Sequence, residues 1–136
     1  MRTPKKPSLP APSEHQEQAR FIEWCATANV IAIAIPNGGK RHIRTATRLK
    51  AEGVLPGVPD LFLPYKRLDF GGLWIEMKKR KGGKVSDAQA EVMTMLRRLG
   101  YDVRVCAGWE EAASTAWGYL QSSKYEWRGG KLRRTV

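Results

Sequence analysis

Two short apolar runs occupy the middle of this chain, "DLFLPY" from Asp60 and "LWIEMKK" from Leu73, with "LDFGG" between them. Each has the length and composition of a β-strand, and the Gly-containing segment reads as a turn. The two runs are therefore expected to pair as a hairpin, which commits the centre of the chain to a sheet. Charges interrupt both runs. Asp60 opens the first, and Glu76 and Lys78 sit inside the second. Side chains two residues apart on a strand share a face. Glu76 and Lys78 thus lie together, while Ile75, Met77 and Lys79 alternate to the other side. By itself an E-x-K is an ion pair on an edge strand. With Asp60 on the neighbouring strand there is a second reading, in which these charges line a site.

The flanking sequence builds a domain around this hairpin. "SEHQEQARFIEWCATAN" reads as a helix with Ser13 as N-cap, acids in its first turn, and an apolar stripe of Phe21, Ile22, Cys25 and Ala28. "VIAIAI" is a strand candidate ended by "PNGG", and "KRHIRTATRLKAEG" is a short basic helix closed by Gly53. "SDAQAEVMTMLRRLG" is the clearest helix, capped by Ser86, ended by Gly100, with Ala88, Val92, Met95, Leu96 and Leu99 as its expected buried face. "YDVRVCA" is a further strand, and a last helix runs from Trp109 to Leu120. The order α, β, α, β, β, α, β, α predicts an α/β domain with a central mixed sheet flanked by helices. Residues 1–12 read as a disordered, basic, Pro-rich arm, 13–121 as the domain, and 122–136 as a basic tail.

At 136 residues the chain is one domain's worth, with a formal net charge of +11 and a pI near 10.1. Such a field favours a polyanion, most often nucleic acid. Anionic membranes attract the same charge, but there is no amphipathic basic helix with a broad apolar face and no lipidation motif. No apolar run approaches the ~20 residues of a membrane span. The N-terminus, with Pro4, Pro7, Pro10 and Pro12, lacks the apolar segment of a signal peptide. An intracellular, cytoplasmic protein is expected. Cys25 and Cys106 have no metal-type spacing and read as reduced core residues.

Two carboxylates on adjacent strands can converge on a hard divalent cation, which takes oxygen ligands and also binds phosphate oxygens. A lysine beside them can orient water or neutralise charge developing on a phosphodiester. Pro59 fixes the approach of the chain to Asp60, and Gly57 permits a tight turn there. His15 and His42 are not needed for this chemistry, and their spacing suggests none.

The motifs in order are Glu14 and Gln18, Asn37-Gly38-Gly39 with Arg41, Gly57-Val58-Pro59-Asp60, Ile75-Glu76-Met77-Lys78 and Ser86-Asp87-Ala88-Gln89. This set resembles the VRR-NUC (virus-type replication-repair nuclease) branch of the PD-(D/E)xK nucleases, in the manner of a stand-alone phage or prophage member. The resemblance implies a restriction-endonuclease-like fold and Mg²⁺- or Mn²⁺-dependent phosphodiester hydrolysis. It implies that Asp60, Glu76 and the Met77 carbonyl hold metal and that Lys78 is the catalytic lysine. A helix-one acid would complete the metal site; Glu14 fits the E-x3-Q register, and Glu17 is the alternative. Gln18 and Gln89 would hold the metal waters or the lysine.

Basic residues cluster at Lys40, Arg41, Arg44, Arg48 and Lys50, and again from Lys78 to Lys84. Arg41, Arg44 and Arg48 share one helical face, with no acid seen interleaved. Together with Lys79 and Lys81 they are candidate phosphate contacts, salt-sensitive and blind to sequence. No base-reading motif is present, so recognition of shape or branching is expected. Stand-alone VRR-NUC proteins are similar to Holliday junction resolvases, and the resemblance thus implies a structure-specific endonuclease for branched DNA. Such enzymes match a symmetric substrate as homodimers. Leu73, Trp74, Trp109, Trp117, Tyr119, Tyr125 and Trp127 are candidate interface residues. Flap- or nick-directed and exonucleolytic cutting are the alternative activities, and a non-catalytic basic DNA-binding protein is the alternative class.

Overall fold

The computed structural model describes residues 8–36, 43–121, 125–128 and 131–134, with side chains for 8–36 and 45–121. The elements are α1 (Glu14–Ala28), β1 (Ile33–Ala34), α2 (Ile43–Ala51), β2 (Leu61–Leu63), β3 (Leu73–Lys78), α3 (Asp87–Arg98), β4 (Asp102–Ala107), α4 (Trp109–Gln121), β5 (Tyr125–Arg128) and β6 (Lys131–Arg134). The first eight follow the expected order.

β1 to β4 form one mixed sheet in sequence order. β2 pairs antiparallel with both β1 and β3, in the register Leu61–Ile75, Phe62–Trp74 and Leu63–Leu73. β3 pairs parallel with β4, and α3 provides the crossover that a parallel pair requires. Phe21, Cys25, Ala112, Ala113, Ala116 and Tyr119 of α1 and α4 cover Leu61, Leu63, Leu73, Ile75, Met77 and Cys106 on one face. Val92, Met93 and Leu96 of α3 cover Val103 and Trp74 on the other. β3 is thus interior to the sheet and roofed on both sides, and five of its six residues are buried. This removes the edge-strand reading of Glu76 and Lys78.

The local signals behave as their chemistry dictates. Ser13 with Gln16, and Ser86 with Gln89, form reciprocal capping boxes that start α1 and α3. Asn29 closes α1 in the left-handed region at φ 57°. Both cysteines are free and buried, as expected.

Several expectations are corrected. "VIAIAI" yields only Ile33–Ala34 as strand, because its partner β2 is three residues long and offers two rungs. The α1 stripe runs through Glu17, Phe21 and Cys25, leaving Ile22 exposed. On α3, Met93 is buried, whereas Met95 and Leu99 are 41% and 67% exposed. The helix is rotated so that Val92, Met93 and Leu96 meet Val103 and the aromatic pair Trp74 and Tyr101. The C-terminal stretch, read as a tail, contains two strands, β5 and β6, paired antiparallel with Arg128 opposite Lys131; the Gly-Gly pair between them in the sequence is a strong hairpin signal. The expected arm lies largely outside the described residues; 8–13 precede α1 without regular structure. No described helix is long and apolar enough to cross a membrane.

Candidate active site

Pro59 has no N–H to donate, and the β2–β3 ladder stops at Leu61. The Asp60 side chain takes over. Its Oδ2 accepts from the Met77 N–H at 2.8 Å, and its own carbonyl accepts from Ile35 at 2.8 Å. By extension of the register Asp60 stands opposite Glu76.

Glu76 is 2% exposed and Lys78 8%. Both point to the α3 side, where Gln89 meets them. Gln89 Nε2 donates to Glu76 Oε1 at 2.9 Å. Gln89 Oε1 accepts from Lys78 Nζ at 3.2 Å and from the Ser86 N–H at 2.9 Å. The capping box therefore does more than start the helix: the Ser86 N–H fixes which end of the amide faces the strand. Lys78 Nζ is also 3.4 Å from Glu76 Oε1 and 4.0 Å from Glu14 Oε1. Glu76 Oε2 is buried without a hydrogen-bond partner among the described residues. Burial pushes the Glu76 carboxyl up to about 7; the nearby Asp60 carboxylate adds to the rise and Lys78 opposes it.

Two glycines set this geometry. Gly57 has φ +89°, and a Cβ there would lie 2.6 Å from Ala88 C and O and 2.8 Å from Gln89 N. Only glycine lets the loop before Asp60 press against the first turn of α3. A Cβ on Gly83 would stand 2.9 Å from Lys78 Cβ, so the loop after β3 folds over the lysine stem.

Asp60, Glu76, Lys78, Gln89 and Glu14 are thus brought together. Gln18 lies one turn beyond Glu14 on α1, half-buried. Glu14 reaches the lysine, whereas Glu17 is fully buried in another interaction: Oε1 accepts from Arg80 Nε at 3.1 Å and Oε2 from the Trp109 N–H at 2.5 Å. Among the described residues no three His, Cys, Asp or Glu side chains converge, so Glu14 does not join Asp60 and Glu76 in a three-acid cluster. The donor set nevertheless suits a hard divalent cation. It is all oxygen, it includes a buried carboxylate oxygen without a partner among the described residues, and the Asp60 carboxylate raises the cost of ionising Glu76. Water and the Met77 carbonyl would complete the coordination.

Lys79 and Lys81 are exposed beyond β3. Arg48 is paired at 3.1 Å with Glu52, one residue past the end of α2, so this arginine has an acidic partner, contrary to expectation. Lys40, Arg41, Asn37 and His42 lie outside the described residues, as does the Arg44 side chain. Of the apolar interface candidates, Leu73 and Tyr119 are core residues, and Trp74 and Trp109 are half-buried. Trp117 is 53% exposed. The side chains of Tyr125 and Trp127 lie outside the described set.

The pairing of Glu17 with Arg80 was legible only in part. The i, i+4, i+8 line through Glu17, Phe21 and Cys25 marks Glu17 as buried, but no sequence pattern names its partners.

A family model, the VRR-NUC domain, matches residues 9–110. The chain belongs to the VRR-NUC domain family. VRR-NUC proteins are nucleases of the PD-(D/E)xK superfamily, hydrolases that act on DNA and generally use divalent metals. A solved structure named "VRR_NUC domain protein" is 26% identical to this chain, with a TM-score of 0.69, covering 89% of this chain and 97% of that one. No curated protein matches. The mixed sheet and flanking helices are those of a VRR-NUC nuclease fold.

Proposed function

We propose that this VRR-NUC protein is a Mg²⁺- or Mn²⁺-dependent, structure-specific DNA endonuclease that acts on branched duplexes as a homodimer, in the manner of a junction resolvase. The observation that carries the catalytic reading is the buried Glu76 carboxylate. One oxygen is held by Gln89 and Lys78, the other has no partner among the described residues, and Asp60 lies alongside. Such an arrangement is unfavourable for folding alone.

Asp60 and Glu76 would hold the cation, with the Met77 carbonyl. When bound, the cation supplies Lewis-acid stabilisation of phosphate charge and lowers the pKa of a bound water. Lys78 presents its ammonium beside the Glu76 carboxylate, where it neutralises charge developing on the phosphate or orients the attacking water. Gln89 keeps Glu76 and Lys78 in register with one amide. Glu14 approaches the lysine from the side opposite α3, and Gln18 continues its helical line. Lys79 and Lys81, with Lys40, Arg41, Arg44 and Arg48, are the proposed phosphate contacts. They would bind without sequence preference. Trp117, exposed on α4 beside Trp24 and Ala28, is the best-placed described residue for a subunit interface.

The test is cleavage of labelled four-way junction, 5′ flap, nicked and linear duplexes with Mg²⁺, Mn²⁺ or EDTA. Paired symmetric nicks in the junction support the proposal. Cutting that survives EDTA or Asp60→Ala rules out the metal mechanism. Cutting confined to flaps or ends assigns the alternative activities, and binding without any cutting assigns the non-catalytic reading.

A further inference from the structure

Glu17 is fully buried, yet the chemistry above does not use it. α4 begins at Trp109, after Gly108, which has no side chain to cap the helix. Glu17 Oε2 takes the orphan Trp109 N–H, so α4 is capped by a carboxylate from another helix. Its other oxygen takes Arg80 Nε, and Arg80 Nη2 reaches Glu110 Oε1 at 3.3 Å. Gly108 threads through the middle of this knot. At φ +95° its N–H donates to the Lys78 carbonyl at 2.9 Å, and a Cβ there would lie 3.0 Å from Glu17 Oε2 and 3.1 Å from Arg80 Cγ.

These contacts surround Lys78. Its carbonyl is held by Gly108. Arg80, two residues on, anchors the loop whose Gly83 packs on the lysine stem. Glu14, three residues before Glu17 on α1, stands 4.0 Å from Lys78 Nζ.

We propose that Glu17 is a positioning residue for Lys78. Through Arg80 and the start of α4 it sets where the first turn of α1 and the 80–83 loop meet the lysine. Arg80, although it lies in the basic run 78–81, belongs to this clamp and makes no contribution to phosphate binding. The inference rests on Lys78 being the catalytic lysine.

The test compares full-length Glu17→Gln, Arg80→Gln, their double mutant, Lys78→Met and Lys79→Gln. Readouts are single-turnover cleavage of a labelled four-way junction and a nicked duplex, anisotropy binding of the same DNAs in EDTA at several salt concentrations, and thermal melts that set an assay temperature at which every variant is folded. Glu17→Gln and Arg80→Gln are each expected to lower the cleavage rate by about 10- to 100-fold, and the double mutant by no more than the worse single, since both break one clamp. DNA affinity and its salt dependence stay at wild-type values in both, whereas Lys79→Gln reduces them. Arg80 is partly exposed, so its variant carries the test should Glu17→Gln not fold. An Arg80→Gln protein that cuts at the wild-type rate, or that binds DNA more weakly with a shallower salt slope, overturns the proposal. Wild-type cutting by Lys78→Met would instead overturn the reading of Lys78 on which it rests.

Discussion

Replacing Glu76 by glutamine should stabilise the metal-free protein while abolishing its activity. The carboxyl is 2% exposed and its pKa is pushed from 4.5 to about 7, first by burial and then by Asp60, against the opposing pull of Lys78. Because the folded-state value lies above the unfolded one, the folded chain binds the proton more tightly. The contribution of Glu76 to stability therefore falls as pH rises from about 4.5 to about 7, then levels off. At pH 8 the ionised group costs on the order of 1–3 kcal/mol. Glutamine keeps the shape and can still accept from Gln89, but carries no charge. The measurement is a series of thermal melts of wild type and Glu76→Gln in EDTA from pH 5 to 8.5. The two should differ little at the acid end. At pH 8 the variant should melt about 3–10 °C higher. A divalent cation at a hundredfold excess over its Kd should raise wild-type stability by about 2–3 kcal/mol and leave the variant unmoved. The reasoning is refuted if the two proteins show the same pH slope, or if Glu76→Gln is the less stable at pH 8 in EDTA.

Other consequences follow from named contacts. Gly57→Ala forces a Cβ onto the backbone of Ala88 and Gln89 at positive φ; chemical denaturation should register a loss of about 2 kcal/mol or more, with cleavage reduced beyond what the unfolded fraction explains. Gln89→Leu leaves the Ser86 N–H, Lys78 and Glu76 without their shared partner; a loss of about 1–3 kcal/mol is expected in the same assay, and single-turnover cleavage should fall while DNA binding persists. Lys79→Gln and Lys81→Gln should each reduce the slope of log affinity against log salt by about 1, measured by anisotropy, with the rate at saturating DNA unchanged.

How much of this was legible beforehand depends on the range of the interaction involved. The β2–β3 hairpin, the two serine caps and the crossover helix α3 rest on local chemistry: turn glycines, hydroxyls one residue ahead of a helix, and apolar periodicity. They are readable without knowing the fold. The association of Asp60 with Glu76 was legible for the same reason, since a hairpin fixes its own register. The helix faces were harder. On α3 the apolar residues Val92, Met93, Met95, Leu96 and Leu99 span more than one face, so only contact with Val103 and Trp74 selects Met93 over Met95.

The sequence by itself determined the order of the elements, the acid pair with its lysine on neighbouring strands, and the excess of positive charge that suits DNA. Tertiary structure alone decided that β3 is covered on both sides, which turns its two charges from a solvated pair into a buried site. It also gave the two acids of α1 different surroundings. Glu14 and Glu17 are less than one turn apart and alike in chemistry. What separates them is that Glu17 faces the unfilled N-terminus of α4, 92 residues further along the chain, while Glu14 faces Lys78. A partner that distant leaves no mark on the local pattern, because the free energy that selects it arises only when both helices dock on the same sheet.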